Sequence, residues 1–420
     1  MHGYAVRKNK LPRAKARVIE YRSMRQFDID KFLNDLKTVP WSTAYIYDDV
    51  DDLWHHWAQL YNEVLYKHAP IKKKRVRGDQ LPVITPQIQR EISRRNRLFK
   101  KHAKNPTKTS WEEFKKQRNR VTSLRRKGLK AFCVEASTNT KHHGEFWNNL
   151  RSLLPNKGKK QSKIPLIDNE RVNTDSLSVA ETFNNYFCEV ARSDGDCKEM
   201  VEFVDHPSVK VIAEKTRDNC FNLVPVDVSY IRKILDSLDP RKAVGCDKIP
   251  QRLLRLSSPV IAEPITRLIN YFITNRQWPI VWKSSDVAPV FRKESATDKT
   301  CHRPVSVLTA LSKLYEKVLL DQIYEAFYWR LSPNLSGFRK GHSYCTALLN
   351  LTEDWRACLD RREAFAAVAI DLSKAFDSVC HPLLLAKLKA YGFTHDALER
   401  MTAYLIGRRQ RVKLDGVHST

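Results

Sequence analysis

Three absences bound this chain before any motif is read. No stretch approaches the ~20 apolar residues of a membrane span, and the N-terminus, MHGYAVRKNK, has no apolar signal core. The sequence therefore argues against membrane insertion and against secretion. Nine cysteines run from Cys133 to Cys380 without a CxxC pair or a Cys/His cluster at zinc spacing. The doublets His55-His56 and His142-His143 put neighbours on different helix faces, which makes poor ligand pairs. The cysteines read as reduced thiols of an intracellular protein. Nor is there an internal repeat.

Negative charge is also scarce. Asp and Glu total 47 against 74 Lys and Arg, a formal charge of +27. An excess of that size points to a polyanionic partner, most economically nucleic acid. Its placement sharpens the point: between Ile71 and Lys130 stand 21 Lys or Arg and only four acids, a net +17. The plainer reading is a generally basic protein with no such partner, and the placement of the charge weighs against it. With 420 residues, 42% hydrophobic and 29% charged, the chain suits a folded protein of two or three domains.

Along the chain, Val50, Leu53, Trp54, Trp57, Leu60, Tyr61, Val64 and Leu65 recur at three/four spacing. They predict a helix whose aromatic stripe is packing rather than a base-stacking platform. In the basic segment, Thr85-Pro86 reads as N-cap and first helical residue, and Asn105-Pro106 as a turn. Ser110 with Glu113 reads as a capping box opening a second helix. The prediction is a basic helical hairpin that contacts phosphates through Lys115, Lys116, Arg125 and Arg126, against the plainer reading of a solvated charged face. A soft linker, PNKGKKQSK, follows Leu154, a helix resumes from Thr174, and residues 192–225 read as loop. After Asp227, turns, short β-rich runs and helices alternate, which suggests an α/β or α+β domain.

The segment AVAIDLSKAFDSV carries the sharpest local signal. Ala364 to Ile370 reads as a buried strand with Asp371 at its end, and an acid there calls for compensation such as a divalent cation. Magnesium favours carboxylate oxygens, and the carbonyl of Leu372 could add a ligand. Phe376 stands where a ring could close a sugar pocket and reject a 2′-hydroxyl, while Asp377 could orient the turn or cap the next helix. Taken alone, the pattern also fits a strand-end aspartate with no metal. Upstream, Arg292, Lys293 and Arg303 flank a predicted hairpin that could grip a triphosphate. Gly337-Phe338-Arg339 forms a tight turn suited to contact with a nucleic-acid backbone.

These blocks, in this order, resemble the first half of the reverse transcriptase of a non-LTR retrotransposon, of the LINE or Jockey type. Gly245, Asp247, Ile249 and Pro250 match the family's Gly-x-Asp-x-Ile-Pro turn. Arg303, Pro304 and Ser306 match Arg-Pro-Ile-Ser, with Val305 substituted. Gly337, Phe338, Arg339 and Ser343 match the Gly-Phe-Arg block, and Asp371 to Asp377 gives Asp-Leu-Ser-Lys-Ala-Phe-Asp complete. There are departures: Glu294 stands where the family has a glycine, and Cys301-His302 replaces Asn-Tyr.

The resemblance implies a mixed fold. A basic α-helical N-terminal region would be followed by a truncated α/β right-hand polymerase, comprising the fingers and the start of the palm. Residues 1–10 would be a remnant of the last endonuclease strand, 11–160 a basic helical linker region, 161–226 a helix-and-loop connector and 227–420 a partial reverse transcriptase domain. It implies an RNA template, a DNA primer, deoxynucleoside triphosphates and Mg²⁺, working in nucleus and cytoplasm. Asp371 would be catalytic, and Asp371 and Leu372 metal ligands. Phe376 would be the sugar gate, Arg292, Lys293 and Arg303 the triphosphate contacts, and Arg339 a nucleic-acid contact. The family's Pro-Gln-Gly and Tyr/Phe-x-Asp-Asp blocks are not found in these 420 residues, so the chain alone is expected to bind nucleic acid without polymerising it. The rival expectation is a non-enzymatic RNA- or DNA-binding protein on the same scaffold.

Overall fold

The computed structural model describes residues 17–76, 84–138, 165–168, 171–191, 200–216, 220–292, 294–372 and 375–420. They fall into two compact units, one within Met1–Ser23 and Ile71–Ser162, the other within Met24–Pro70 and Lys163–Thr420. In chain order the first elements are β1 (Arg17–Arg22), α1 (Ile29–Lys37), α2 (Val50–His68), β2 (Ile71–Val76), α3 (Pro86–Lys104) and α4 (Lys108–Thr138). There follow β3 (Leu166–Asp168), β4 (Arg171–Asn173), α5 (Ser176–Ala191), α6 (Pro207–Lys215), α7 (Val228–Ser237) and α8 (Gln251–Asn275). The last are α9 (Ile280–Lys283), β5 (Ser284–Phe291), β6 (His302–Val307), α10 (Ala310–Phe327), α11 (Tyr344–Asp360), α12 (His381–Ala390), α13 (His395–Leu405), β7 (Arg409–Leu414) and β8 (Val417–His418).

In the first unit β1 and β2 form an antiparallel ribbon, and α3 and α4 form the hairpin that the basic segment predicts. The Thr85 hydroxyl accepts from the Ile88 amide, with Pro86 in the first turn. The second helix starts earlier than the Ser110–Glu113 box would place it. The Ser110 amide donates to Thr107 Oγ1 (3.2 Å), and the Thr107 amide donates back to Ser110 Oγ (3.1 Å). Thr107 is the first hydroxyl after Pro106, so the reciprocal cap forms there. Glu113 is thereby free to meet Lys101 at 3.3 Å. Between the helices Ile88 and Val121 are buried, and the Gln117 side-chain amide donates to Glu91 Oε2 at 2.6 Å.

The second unit is built around a helical core. On α2 the predicted stripe is buried apart from the half-buried Leu60, with Leu53, Trp57 and Tyr61 fully covered. Trp57 stacks on Trp54 (5.7 Å) and on Tyr61 (5.4 Å). They belong to one cluster with Phe272 of α8, Trp282 of α9 and Tyr315 of α10. Each such ring removed from water contributes about 1.5–3 kcal/mol. The four-stranded sheet runs β6-β5-β7-β8, with β5 antiparallel to β6 and parallel to β7. One sheet face is sealed by α5, whose Phe183 and Phe187 pack with Val287, Val412 and Leu414.

Two sequence expectations fail here. Within 192–225, read as loop, α6 spans Pro207–Lys215, with the His206 ring accepting from the Ser208 amide and proline in the first turn. Proline at the first helical position was the overlooked start signal. The segment 364–370, read as a buried strand, is neither strand nor buried: Val368 is 85% and Ile370 82% exposed. A strand needs a backbone partner on at least one edge. Both edges of β5 are taken by β6 and β7, and no strand among the described residues pairs with this segment.

Candidate active site and nucleic-acid interface

The predicted hairpin exists. Val290 faces Arg303 and Phe291 faces His302 across the β5–β6 ladder, and the Arg292 amide donates to the Cys301 carbonyl at 3.0 Å. Arg292 and Arg303 are both exposed on it, whereas Lys293 lies outside the described residues. The loop end of the hairpin is pinned by His302. Its Nδ1–H donates to the Asp298 carbonyl (2.9 Å), and its ring meets the Phe183 ring edge-on at 4.9 Å. The two guanidinium groups therefore project from a fixed ladder into water, a disposition that suits an anion.

The Gly-x-Asp-x-Ile-Pro turn has a packing reason. A methyl group on Gly245 would lie 2.7 Å from the Thr309 α-carbon, so only glycine fits where this turn crosses the start of α10. Asp247 Oδ1 accepts from the Ile249 amide (3.2 Å), Ile249 is fully buried, and Pro250 leads into α8.

Two later blocks meet at their rings. Phe338, at a left-handed φ of 59°, contacts Phe376 perpendicularly with centroids 5.8 Å apart. They are 90% and 77% exposed. Arg339 is engaged by its own loop: its NH1 donates to the Ser332 carbonyl (2.9 Å) and its guanidinium lies 5.0 Å from the Tyr328 ring. Lys340 Nζ lies over the Tyr324 ring and 3.8 Å from Asp321.

Asp371 departs from expectation. It is exposed, because the strand meant to bury it does not form. Among the described residues no hydrogen bond or ion pair engages its side chain. The carboxylate of Asp371 and the carbonyl of Leu372 suit Mg²⁺ in kind. They fall short in number, since among the described residues no group of three or more His, Cys, Asp or Glu gathers that could hold a metal.

Lys115, Lys116, Arg125 and Arg126 are all exposed on α4, and among the described residues none is tied into an ion pair. Lys115 and Arg126 are separated by about three helical turns and so lie nearly in line, with Lys116 and Arg125 to either side. Gln117 and Val121 face α3 instead.

Sequence reasoning missed a charge cluster on the sheet. Asp286, buried in β5, receives Arg411 Nε at 2.7 Å, with Lys413 Nζ at 3.5 Å and His418 Nε2 at 3.8 Å. Burial alone would raise the Asp286 carboxyl, but the Arg411 hydrogen bond and charge hold it below the ordinary value. His418 is pushed down by burial and by the Arg411 charge. The available signal was Arg409-x-Arg411-x-Lys413, basic at every second residue, which a strand places on one face.

Residues 291–417 match the reverse transcriptase (RNA-dependent DNA polymerase) family model. Its relatives are the polymerases of mobile elements. The chain is 29% identical over 199 residues to a probable RNA-directed DNA polymerase from transposon BS of Drosophila melanogaster, covering 46% of this chain and 22% of that protein. It is 23% identical over 227 residues to the RNA-directed DNA polymerase from mobile element jockey of the same fly, covering 53% and 24%. A probable polymerase from transposon X-element is 24% identical over 201 residues, covering 47% and 22%. The matches thus span less than a quarter of each relative. Among the described residues no helix is long and apolar enough to cross a membrane.

Proposed function

We propose that this chain is part of an RNA-directed DNA polymerase, in which it grips a template–primer and an incoming deoxynucleoside triphosphate. The observation that carries the reading is the β5–β6 hairpin, whose loop and second strand lie inside the family match, with Arg292 and Arg303 exposed on it. Residues 227–420 are its fingers and first palm block. Residues 11–160 form a basic region that holds nucleic acid through Lys115, Lys116, Arg125 and Arg126, with 161–226 as connector and 1–10 an endonuclease remnant.

In this reading Arg292, Lys293 and Arg303 neutralise the triphosphate, and Phe376, braced by Phe338, limits the sugar. Arg339 contributes to the nucleic-acid contact by fixing the Ser332–Arg339 loop. Asp371 and the Leu372 carbonyl are part of a Mg²⁺ donor set that needs further carboxylates. When bound, the metal supplies charge neutralisation and activation of a hydroxyl. The described residues do not complete that set, and in this reading the chain alone binds without copying.

The test is direct. The purified chain is mixed with an RNA template annealed to a DNA primer, deoxynucleoside triphosphates and Mg²⁺. Binding of the heteroduplex without primer extension is expected. Extension would refute the incomplete set of metal ligands, and loss of all heteroduplex binding would refute the polymerase reading. Binding of unrelated duplex DNA as tightly as the heteroduplex favours the non-enzymatic alternative.

A further inference from the structure

We infer that Asp286 is a positioning residue, and that the sheet face it organises grips the sugar–phosphate backbone of a nucleic acid through Arg411 and Lys413. The inference rests on the polymerase reading for the identity of the anion, but its geometry is independent of Asp371.

The register fixes the face. Ser284 pairs with Arg409 and Asp286 with Arg411 along the parallel ladder, while Val287 and Val412 point the opposite way and are fully buried under α5. Residues alternate sides along a strand, so Arg409, Arg411 and Lys413 share the side away from α5. Arg303 joins them, because Val290, opposite Arg303, lies two pleats along β5 from Asp286 on the same side. The face therefore carries four permanent cations against one carboxylate.

The carboxylate is placed to aim rather than to neutralise. The Asp286 side chain is 7% exposed, whereas those of Arg411 and Lys413 are 46% and 50% exposed. Asp286 takes the Nε edge of Arg411 from below. Among the described residues no other acceptor bonds the Arg411 side chain, which is 46% exposed, so its NH1/NH2 fork is left for a ligand. A planar guanidinium fixed at Nε presents a preorganised pair of donors, the geometry that suits phosphate. Lys413 adds a second cation drawn to the same carboxylate. A buried ion pair made only for stability is a weak device, since desolvation offsets much of its Coulomb energy.

The test separates aiming from simple charge. Full-length chain is titrated with a fluorescein-labelled RNA–DNA heteroduplex over a series of salt concentrations, alongside circular dichroism and thermal melting. Asp286→Asn removes a negative charge, so bulk electrostatics alone predicts tighter binding. The inference predicts roughly tenfold weaker binding, the weight of one charge-assisted hydrogen bond. It also predicts a log–log salt slope shallower by about one. Arg411→Lys keeps the charge and loses the fork. Its side chain is half exposed, so the fold should persist, and the same roughly tenfold loss is expected. Combining the two changes should add little to either alone. Tighter or unchanged binding in Asp286→Asn with the fold intact, or unchanged binding in Arg411→Lys, overturns the inference alone. A wild-type chain that binds no heteroduplex overturns the polymerase reading beneath it.

Discussion

Gly245 rests against the backbone of Thr309: a side chain on it would stand 2.7 Å from the Thr309 α-carbon and 2.8 Å from its amide nitrogen. Gly337 has nothing within 4 Å of the same virtual atom. Gly245→Ala should therefore lower stability by about 2–3 kcal/mol, since backbone on both sides must shift. Gly337→Ala should stay within about 0.5 kcal/mol. Denaturant melts of the two variants check this, and equal effects would contradict the contact.

The exposed segment around Asp371 gives a second check. Val368 and Ile370 stand in water at 85% and 82% exposure. Val368→Ser with Ile370→Ser should leave the melting temperature unchanged and reduce self-association measured by light scattering. A loss of about 2 kcal/mol or more would mean that these side chains are packed after all.

The α4 hairpin should govern salt sensitivity. If ~6–10 phosphates are neutralised, duplex binding falls with a log–log salt slope of about −5 to −9. Replacing Lys115, Lys116, Arg125 and Arg126 together by Glu should flatten that slope. Since all four are exposed, the melting temperature should hold. An unaltered slope would remove the hairpin from the contact surface.

Asp321 sets an acid limb. It accepts from Tyr230 Oη (2.7 Å) and Lys317 Nζ (2.6 Å). Burial works to raise its carboxyl, but these partners hold it below the ordinary 3.8. Its folded value is depressed, so the contribution is complete above 3.8 and fades as pH falls through the lower folded value. The melting-temperature gap between wild type and Asp321→Asn should be full at about pH 6 and narrow below about pH 4. A gap constant across that range would exclude the linkage. Tyr230→Phe should cost about 1 kcal/mol.

Sequence patterns served best where local forces dominate. The α2 stripe, the Thr85 cap and the β5–β6 hairpin each follow from spacing or turn chemistry within a few residues, and each forms as read. They did worse where the answer depends on a distant partner. The apolar run 364–370 has strand composition, but composition cannot supply a second edge to bond with. The Asp286–Arg411 pair joins residues 125 apart, so neither residue announces the other. Thr107 and Ser110 show a third limit: several hydroxyls near one turn leave the cap ambiguous until backbone geometry selects one.

The parallel β5–β7 ladder also imposes an order of assembly. Its antiparallel neighbour β6 lies one short connection away, whereas Arg411 reaches Asp286 only after a loop of 125 residues has closed. Until then Asp286 lacks its counter-charge, which disfavours burying it in a half-built sheet. Closure of the long loop and alignment of the guanidinium are consequently one cooperative event, and a folding intermediate that has the hairpin should still lack the cationic face.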